Sequence, residues 1–354
     1  MSLNLDARSF RDMLADPALA ETISAAAGCP LVTVEVPDAT EARWLDGLDI
    51  TAVPAVVLVV APDPACLTAG AVKAADVILT EDDSITAPFA APAGGLALAI
   101  AQLESRLASN PVAGTALALT LRTSAGLSVP AGLVAESATY SALQEGAEFR
   151  RWRASRPARA PEADTGRVTV EKSPGELRIT LARPARRNAI DWRMRDALAE
   201  ALAVAATAPD MRVRLRGAGP DFCSGGDLDE FGSRPDPALA HLVRLTRSPA
   251  MLLHGLAGRT TAFLHGSCLG AGIELPALAR TICAAPDTRI GLPEIGLGLI
   301  PGAGGTVSLP RRIGRWRTAF LALTGVTISA EQALRWGLVD AIQDESGIGG
   351  PTER

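Results

Sequence analysis

Two glutamates in glycine-rich surroundings are the residues of this 354-residue chain whose type and spacing suit chemistry. Glu274 lies in HGSCLGAGIELPALA (265–279), where a strand pattern runs into a helix start. Glu294 lies in GLPEIGLGLIPGAGGTVSLPRRIG (291–314), beside a second glycine-rich loop. A third segment, GAGPDFCSGGDLDEF (217–231), is a glycine-rich turn after a strand pattern. A pair of carboxylates can hold one water, one accepting its proton while the other supplies a proton elsewhere. Glu274 follows Ala271 by three residues, about one helical turn, and shares its face. The helix start at Ala271 offers unpaired N–H groups and a dipole, both favourable to an anion. Each segment alone is a weak signal, because glycines close turns in most α/β proteins.

Other chemistries find less support. The five cysteines are an odd, scattered set without paired metal-ligand spacing, and read as small buried hydrophobes. Cys223 and Cys268 flank the glycine-rich turns but have no neighbouring base to make a thiolate. The three histidines, His241, His254 and His265, do not form a zinc pattern. Residues 1–150 carry 7 basic and 18 acidic side chains, whereas 151–354 carry 27 and 21. A polyanionic ligand therefore favours the second half. The net charge is −5 and no basic stripe interleaves with aromatics, so nucleic acid is not an expected partner. No phosphate-loop Lys-Ser/Thr ending or dinucleotide spacing occurs. No apolar run of spanning length and no signal-peptide core is seen, so the expectation is a soluble, cytoplasmic protein without membrane contact.

The elements that must position these residues alternate. Strand patterns occupy 168–172 and 176–182, a hairpin turning at Ser-Pro-Gly, then 211–217, 260–266 and 281–285. Helical patterns occupy 189–206, 238–256, 309–324 and 330–336. Upstream, 1–27 reads as helical, 31–36, 54–61 and 76–80 as strands, and 95–109 and 132–151 as helices. The Arg-, Pro- and Ala-rich stretch 150–167 reads as a linker, with a boundary near 160. The fold class is α/β layering with parallel pairings.

The order and spacing of the three segments closely resemble the enoyl-CoA hydratase/isomerase (crotonase) family. The resemblance runs from LARPARRNAIDWRMRDAL (181–198) to ISAEQALRWGLVDAI (328–342). It implies a core of ββα turns wound as a spiral over 161–342, preceded by an α/β plus helical region over 1–160. It implies an acyl-CoA thioester substrate, with CoA part of that substrate and no separate cofactor or metal, and a homotrimer or dimer of trimers. Glu274 and Glu294 match the two catalytic glutamates of the family's hydratases. Ser224 and Ala271 match its oxyanion-hole donors, which steady charge on the thioester oxygen. Gly225, Gly226, Asp227 and Gly270 fall in the substrate-lining loops, and Arg183, Arg186 and Arg187 where CoA phosphates would be met.

Retention of both glutamates favours reversible hydration of a 2-enoyl-CoA to a 3-hydroxyacyl-CoA. A double-bond isomerase, another thioester-enolate reaction and a catalytically silent assembly subunit are the alternatives. The sequence departs from the family in three places, one of them Arg280, which stands where the family generally has an acid. Pro276 falls just after Glu274, where it would kink a continuing helix. The covering helices that usually follow the core are missing from 343–354, which reads as a flexible tail. Residues 96–157 resemble those helices, so a permuted order is expected, with 31–90 a degenerate remnant that carries no second active site.

Overall fold

In the computed structural model the described residues are 2–82, 88–157, 166–233 and 236–343. The chain opens with four strands, β1 (Ser2–Asp6), β2 (Leu31–Glu35), β3 (Val56–Val60) and β4 (Val77–Leu79), paired in parallel in that order. Helices α1 (Ala7–Leu14), α2 (Leu19–Thr22), α3 (Ala39–Trp44) and α4 (Ala69–Lys73) accompany them. LVTVE and VVLVV are near-continuous apolar runs because these parallel strands are buried on both faces. Phe10, Ile23, Val34, Val57 and Ile78 belong to a hydrophobic cluster of this region. The expectation that 1–27 is wholly helical is corrected at Ser2–Asp6. There Leu3 and Leu5 alternate with polar residues, a period-two signal, and Asp6 caps α1 by accepting from Ser9 N at 2.7 Å.

Four helices follow: α5 (Leu96–Ser109), α6 (Pro111–Ser124), α7 (Val129–Gln144) and α8 (Ala147–Ser155). The single helix expected over 132–151 is two helices. The stretch read as linker begins inside α8, whose Phe149 and Trp152 rings pack 5.6 Å apart. The boundary near 160 falls in 158–165, outside the described residues, as does the tail 344–354. Buried Arg122 of α6 pairs with buried Asp76 just before β4. It also donates to the carbonyls of Ile50, Val53 and Ala55, which ties the helices to the first sheet.

The remainder builds a larger sheet and a smaller one. β5 (Val168–Ser173) and β6 (Glu176–Leu181) form the expected hairpin, with Gly175 at φ +71° in its turn. Then come α9 (Trp192–Ala206), β7 (Arg212–Gly217), α10 (Pro237–Thr246) and α11 (Pro249–Gly255). The helix expected over 238–256 breaks where Ser248 caps α11 ahead of Pro249, a residue suited to a first turn. Next are β8 (Thr260–Leu264), β9 (Ser267–Leu269), α12 (Ala271–Glu274), β10 (Thr281–Ala284) and β11 (Arg289–Gly291). Last are α13 (Gly305–Thr324), β12 (Thr327–Ser329), α14 (Ala330–Trp336) and β13 (Ala341–Ile342).

The six-stranded sheet has the order β13-β10-β8-β7-β6-β5, parallel except at β5, and the three-stranded sheet has the order β12-β11-β9. β8 leads into β9 and β10 into β11, so the chain twice leaves the large sheet for the small one. That winding is the ββα spiral. It carries both glutamates on the connections that follow small-sheet strands.

Candidate active site

The site begins where β9 meets α12. Gly270 takes φ 50° and ψ −123°, a conformation essentially reserved for glycine. Its carbonyl accepts from Ile273 N and Glu274 N, so α12 is four residues long and starts abruptly. Pro276 opens the next short turn, Pro276–Leu278, and therefore interrupts no long helix. Ala271 N is at the first position of α12 and has no intrahelical acceptor. Among the described residues none accepts from it.

The N–H of Ser224, the other expected donor, is occupied. Ser224 N donates to the Arg187 carbonyl at 2.9 Å, which commits it inside the loop. Two residues on, Gly226 bridges Ile190. Ile190 N donates to Gly225 O and Asp227 N donates to Ile190 O, so the N–H of Gly226 itself faces away from Ile190. Gly226 and Ala271 both line a cavity of about 620 Å³, whereas Ser224 does not. Ser224, expected as a donor, therefore has its N–H committed off the cavity wall, and Gly226 is the residue of this loop that reaches the cavity.

Glu274 and Glu294 line the same cavity and are buried. Glu274 Oε2 accepts from Ala303 N and Gly305 N, each at 2.8 Å, at the start of α13. Glu294 begins the short turn Glu294–Leu297, and its Oε2 is buried without a hydrogen-bond partner. A Cβ placed on Gly270 would overlap Glu294 Oε1 and lie 3.7 Å from Glu274 Oε1. The two carboxyls therefore converge on one point of bare backbone beside Ala271.

Burial, then the neighbouring Glu294 and Glu136 carboxyls, push Glu274 well above the usual carboxylate range. Burial pushes Glu294 up to about 8. Two backbone donors steady charge on Glu274 and none steadies the free Glu294 oxygen. Burial and the neighbouring carboxyls thus favour the protonated form of both groups.

A third carboxyl was not visible in the sequence. Glu136 of α7 accepts from Gly304 N at 2.7 Å, and from Thr306 N and Thr306 Oγ1 at 2.8 and 2.7 Å. The N–H groups of 303 and 305 thus serve Glu274 while those of 304 and 306 serve Glu136. Burial raises Glu136 to about 7 against these hydrogen bonds. Its partners are 168 and 170 residues away in the chain, and no local motif marks it. α7 also brings Leu133, Ser137 and Tyr140 to the cavity wall.

The arginines expected to meet phosphate lie elsewhere. Arg183 is buried, pairs with Asp227 at 2.7 Å and donates to Ala189 O, which corrects its assignment to a ligand. Arg187 (φ 52°) pairs with Asp221 at 2.9 Å and donates to Ser267 Oγ. Neither they nor Arg186 line the cavity, whose arginines are Arg195, Arg244 and Arg247 on and just after α9 and α10. Asp227 lines the cavity while holding Arg183. Gly225 closes on Leu269 O, which a Cβ would approach to 3.1 Å.

The sequence model of the family described as enoyl-CoA hydratase/isomerase matches residues 171–348 of this chain. The chain belongs to the enoyl-CoA hydratase/isomerase family. It is 36% identical over 183 residues to the mevalonyl-coenzyme A hydratase of Beauveria bassiana, covering 49% of this chain and 65% of that protein. It is 36% identical over 177 residues to the 2,3-dehydroadipyl-CoA hydratase of Escherichia coli, covering 49% of this chain and 68% of that protein. A crystal structure of enoyl-CoA hydratase from Thermoplasma volcanium aligns at TM-score 0.48 with 33% identity, covering 51% of this chain and 73% of that one. The family match begins at 171, so the first sheet and α5–α8 lie outside it. Within the family region, Gly226, Asp227, Gly270, Ala271, Glu274 and Glu294 are the expected residues that the fold brings to one cavity wall or its edge.

Proposed function

We propose that this chain adds water reversibly to a 2-enoyl-CoA and forms a 3-hydroxyacyl-CoA. The observation that carries the proposal is the convergence of Glu274 and Glu294 on Gly270, beside the uncommitted N–H groups of Gly226 and Ala271. The thioester oxygen accepts from Gly226 N and Ala271 N, which stabilise the enolate charge that develops there. Glu274, held at Oε2 by two backbone donors, accepts the proton of a water from its other oxygen. That water adds to C3 while Glu294 delivers its proton to C2 on the same face. Family membership by itself does not select this reaction; the two carboxyls are what support it. Two relatives that carry hydratase names are consistent with it.

We further propose that α5–α8 supply, ahead of the core, the covering helices that the family usually carries after it. Their support is the reach of Glu136 to the start of α13. CoA arrives as part of the substrate, and no further cofactor enters the scheme. Its phosphates are proposed to meet the arginines at the cavity, Arg195 and Arg247, or the exposed Arg187 and the half-buried Arg186. A homotrimer or dimer of trimers in the cytoplasm is the expected form; among the described residues no helix is long and apolar enough to cross a membrane.

The test is crotonyl-CoA hydration by the purified chain, followed as loss of enoyl-thioester absorbance, with Glu274→Gln and Glu294→Gln alongside. Turnover lost in both variants is expected. Shift of a 3-enoyl-CoA double bond without hydration would move the chain to the isomerases. CoA binding without any turnover would make it a silent subunit.

A further inference from the structure

We propose that the acyl group accepted here ends in a carboxylate, held in the cavity by Arg244 and Tyr140. This rests on the acyl-CoA reading of the site and specifies its substrate class.

Arg244 of α10 lies against α7 and lines the cavity. Its Nε donates to Ser137 Oγ at 3.0 Å and its Nη2 to Ser137 O at 3.2 Å and to Ser141 Oγ. Nη1 makes one contact at 3.5 Å, to Gln144 Oε1. A guanidinium has five N–H donors, so one at Nη1 is left over and the other Nη1 bond is long. Every one of these acceptors is neutral. The other cavity arginines differ: Arg195 pairs with Asp196 at 2.7 Å, and Arg247 with Glu200 at 3.1 Å. Arg244 makes no ion pair among the described residues. Glu136 is the carboxyl whose field reaches it, and the oxygens of Glu136 are committed to the start of α13.

The guanidinium is also held in place. Its Cζ lies 4.9 Å from the centroid of the Tyr140 ring, over its face. That ring packs against Gly302, where a Cβ would meet it, and edge-on to Phe231 at 6.4 Å. Tyr140 is buried and lines the cavity, yet its hydroxyl has no hydrogen-bond partner among the described residues. A phenol O–H and a guanidinium N–H, both from residues that line this wall, are the two donors offered to the carboxylate. A hydrocarbon tail entering here would strip water from both groups and return nothing, which is costly for a charge. A carboxylate accepts from both and balances the charge through a charge-assisted bond.

The experiment compares two six-carbon substrates that differ only at the far end, hex-2-enedioyl-CoA and hex-2-enoyl-CoA. Wild type, Arg244→Met, Arg244→Lys and Tyr140→Phe are assayed on both. Wild type is expected to favour the dioate at least tenfold in kcat/KM. That ratio falls at least tenfold in Arg244→Met through KM, falls less in Tyr140→Phe, and is partly kept in Arg244→Lys. Equal use of both substrates by wild type would overturn the inference, as would an Arg244→Met variant that loses both in proportion, the signature of a mere brace between α7 and α10. If wild type hydrates neither, equilibrium binding of adipyl-CoA and hexanoyl-CoA separates the two claims. Tighter adipyl-CoA binding that Arg244→Met abolishes would sustain the subsite while hydration fails. Equal or absent binding would overturn the subsite.

Discussion

Placing a methyl group on Gly270 perturbs the site at the point where both carboxyls meet. A Cβ there overlaps Glu294 Oε1, so the Glu294 carboxyl must withdraw by about 1 Å to restore ordinary contact. Misplacing a reacting group by about that much costs roughly 100-fold in rate, equivalent to about 2.7 kcal/mol of barrier. The backbone adds its own cost. At φ 50° and ψ −123° a non-glycine residue carries about 1–3 kcal/mol of strain. Gly175→Ala separates the two effects, since Gly175 also has positive φ (+71°) but nothing within 4 Å of its Cβ position. The expected result for Gly270→Ala is kcat for crotonyl-CoA hydration down about 100-fold, with a native circular dichroism spectrum. Gly175→Ala should lose stability but keep its rate. A folded Gly270→Ala protein with wild-type kcat would refute the placement of Glu294 in the reaction.

Three further outcomes follow from the same geometry. In the proposed reaction Glu294 acts while protonated, so kcat/KM should fall as pH rises through about 8, and a rate level to pH 10 would contradict that role. The same raised pKa means that the unfolded chain releases this proton at lower pH than the folded one. Folding stability tied to it is therefore full at low pH and is lost as pH climbs toward about 8. Glu294→Gln should accordingly gain stability relative to wild type between pH 5 and pH 8 in urea titrations, and an unchanged difference would count against the buried acid. Glu136→Gln turns an amide N–H₂ toward at least one backbone N–H of 304 or 306. It should cost about 1–3 kcal/mol per donor left without an acceptor, and a loss under 0.5 kcal/mol would contradict the shared-cap arrangement.

What the sequence made legible was local. Glu274 could be placed from its three-residue offset to a helix start, and Glu294 from its glycine-rich frame, because one short segment fixes each. The hairpin at 168–182 and the parallel α/β order were equally readable from turn residues and periodicity. Ser224 was expected as a donor because counting along a loop does not show which way each N–H points. That depends on the bridge between Ile190 and Gly226, which joins two distant segments. Arg183 looked like a surface cation until Asp227 and the Ala189 carbonyl enclosed it. Glu136, Tyr140 and Arg244 carried no signal at all, because their meaning comes from docking α7 on α10 and α13. β1 was overlooked for a smaller reason: five residues of alternation sat beside an alanine-rich helical pattern.

The most direct test of the two-carboxylate account is hydration of crotonyl-CoA in D₂O with the product read by NMR. The account predicts 3-hydroxybutyryl-CoA carrying one deuterium at C2, added on the same face as the hydroxyl, and none at C4, with no product from Glu274→Gln or Glu294→Gln. Deuterium at C4 without a hydroxylated product, or undiminished product from either variant, would contradict it.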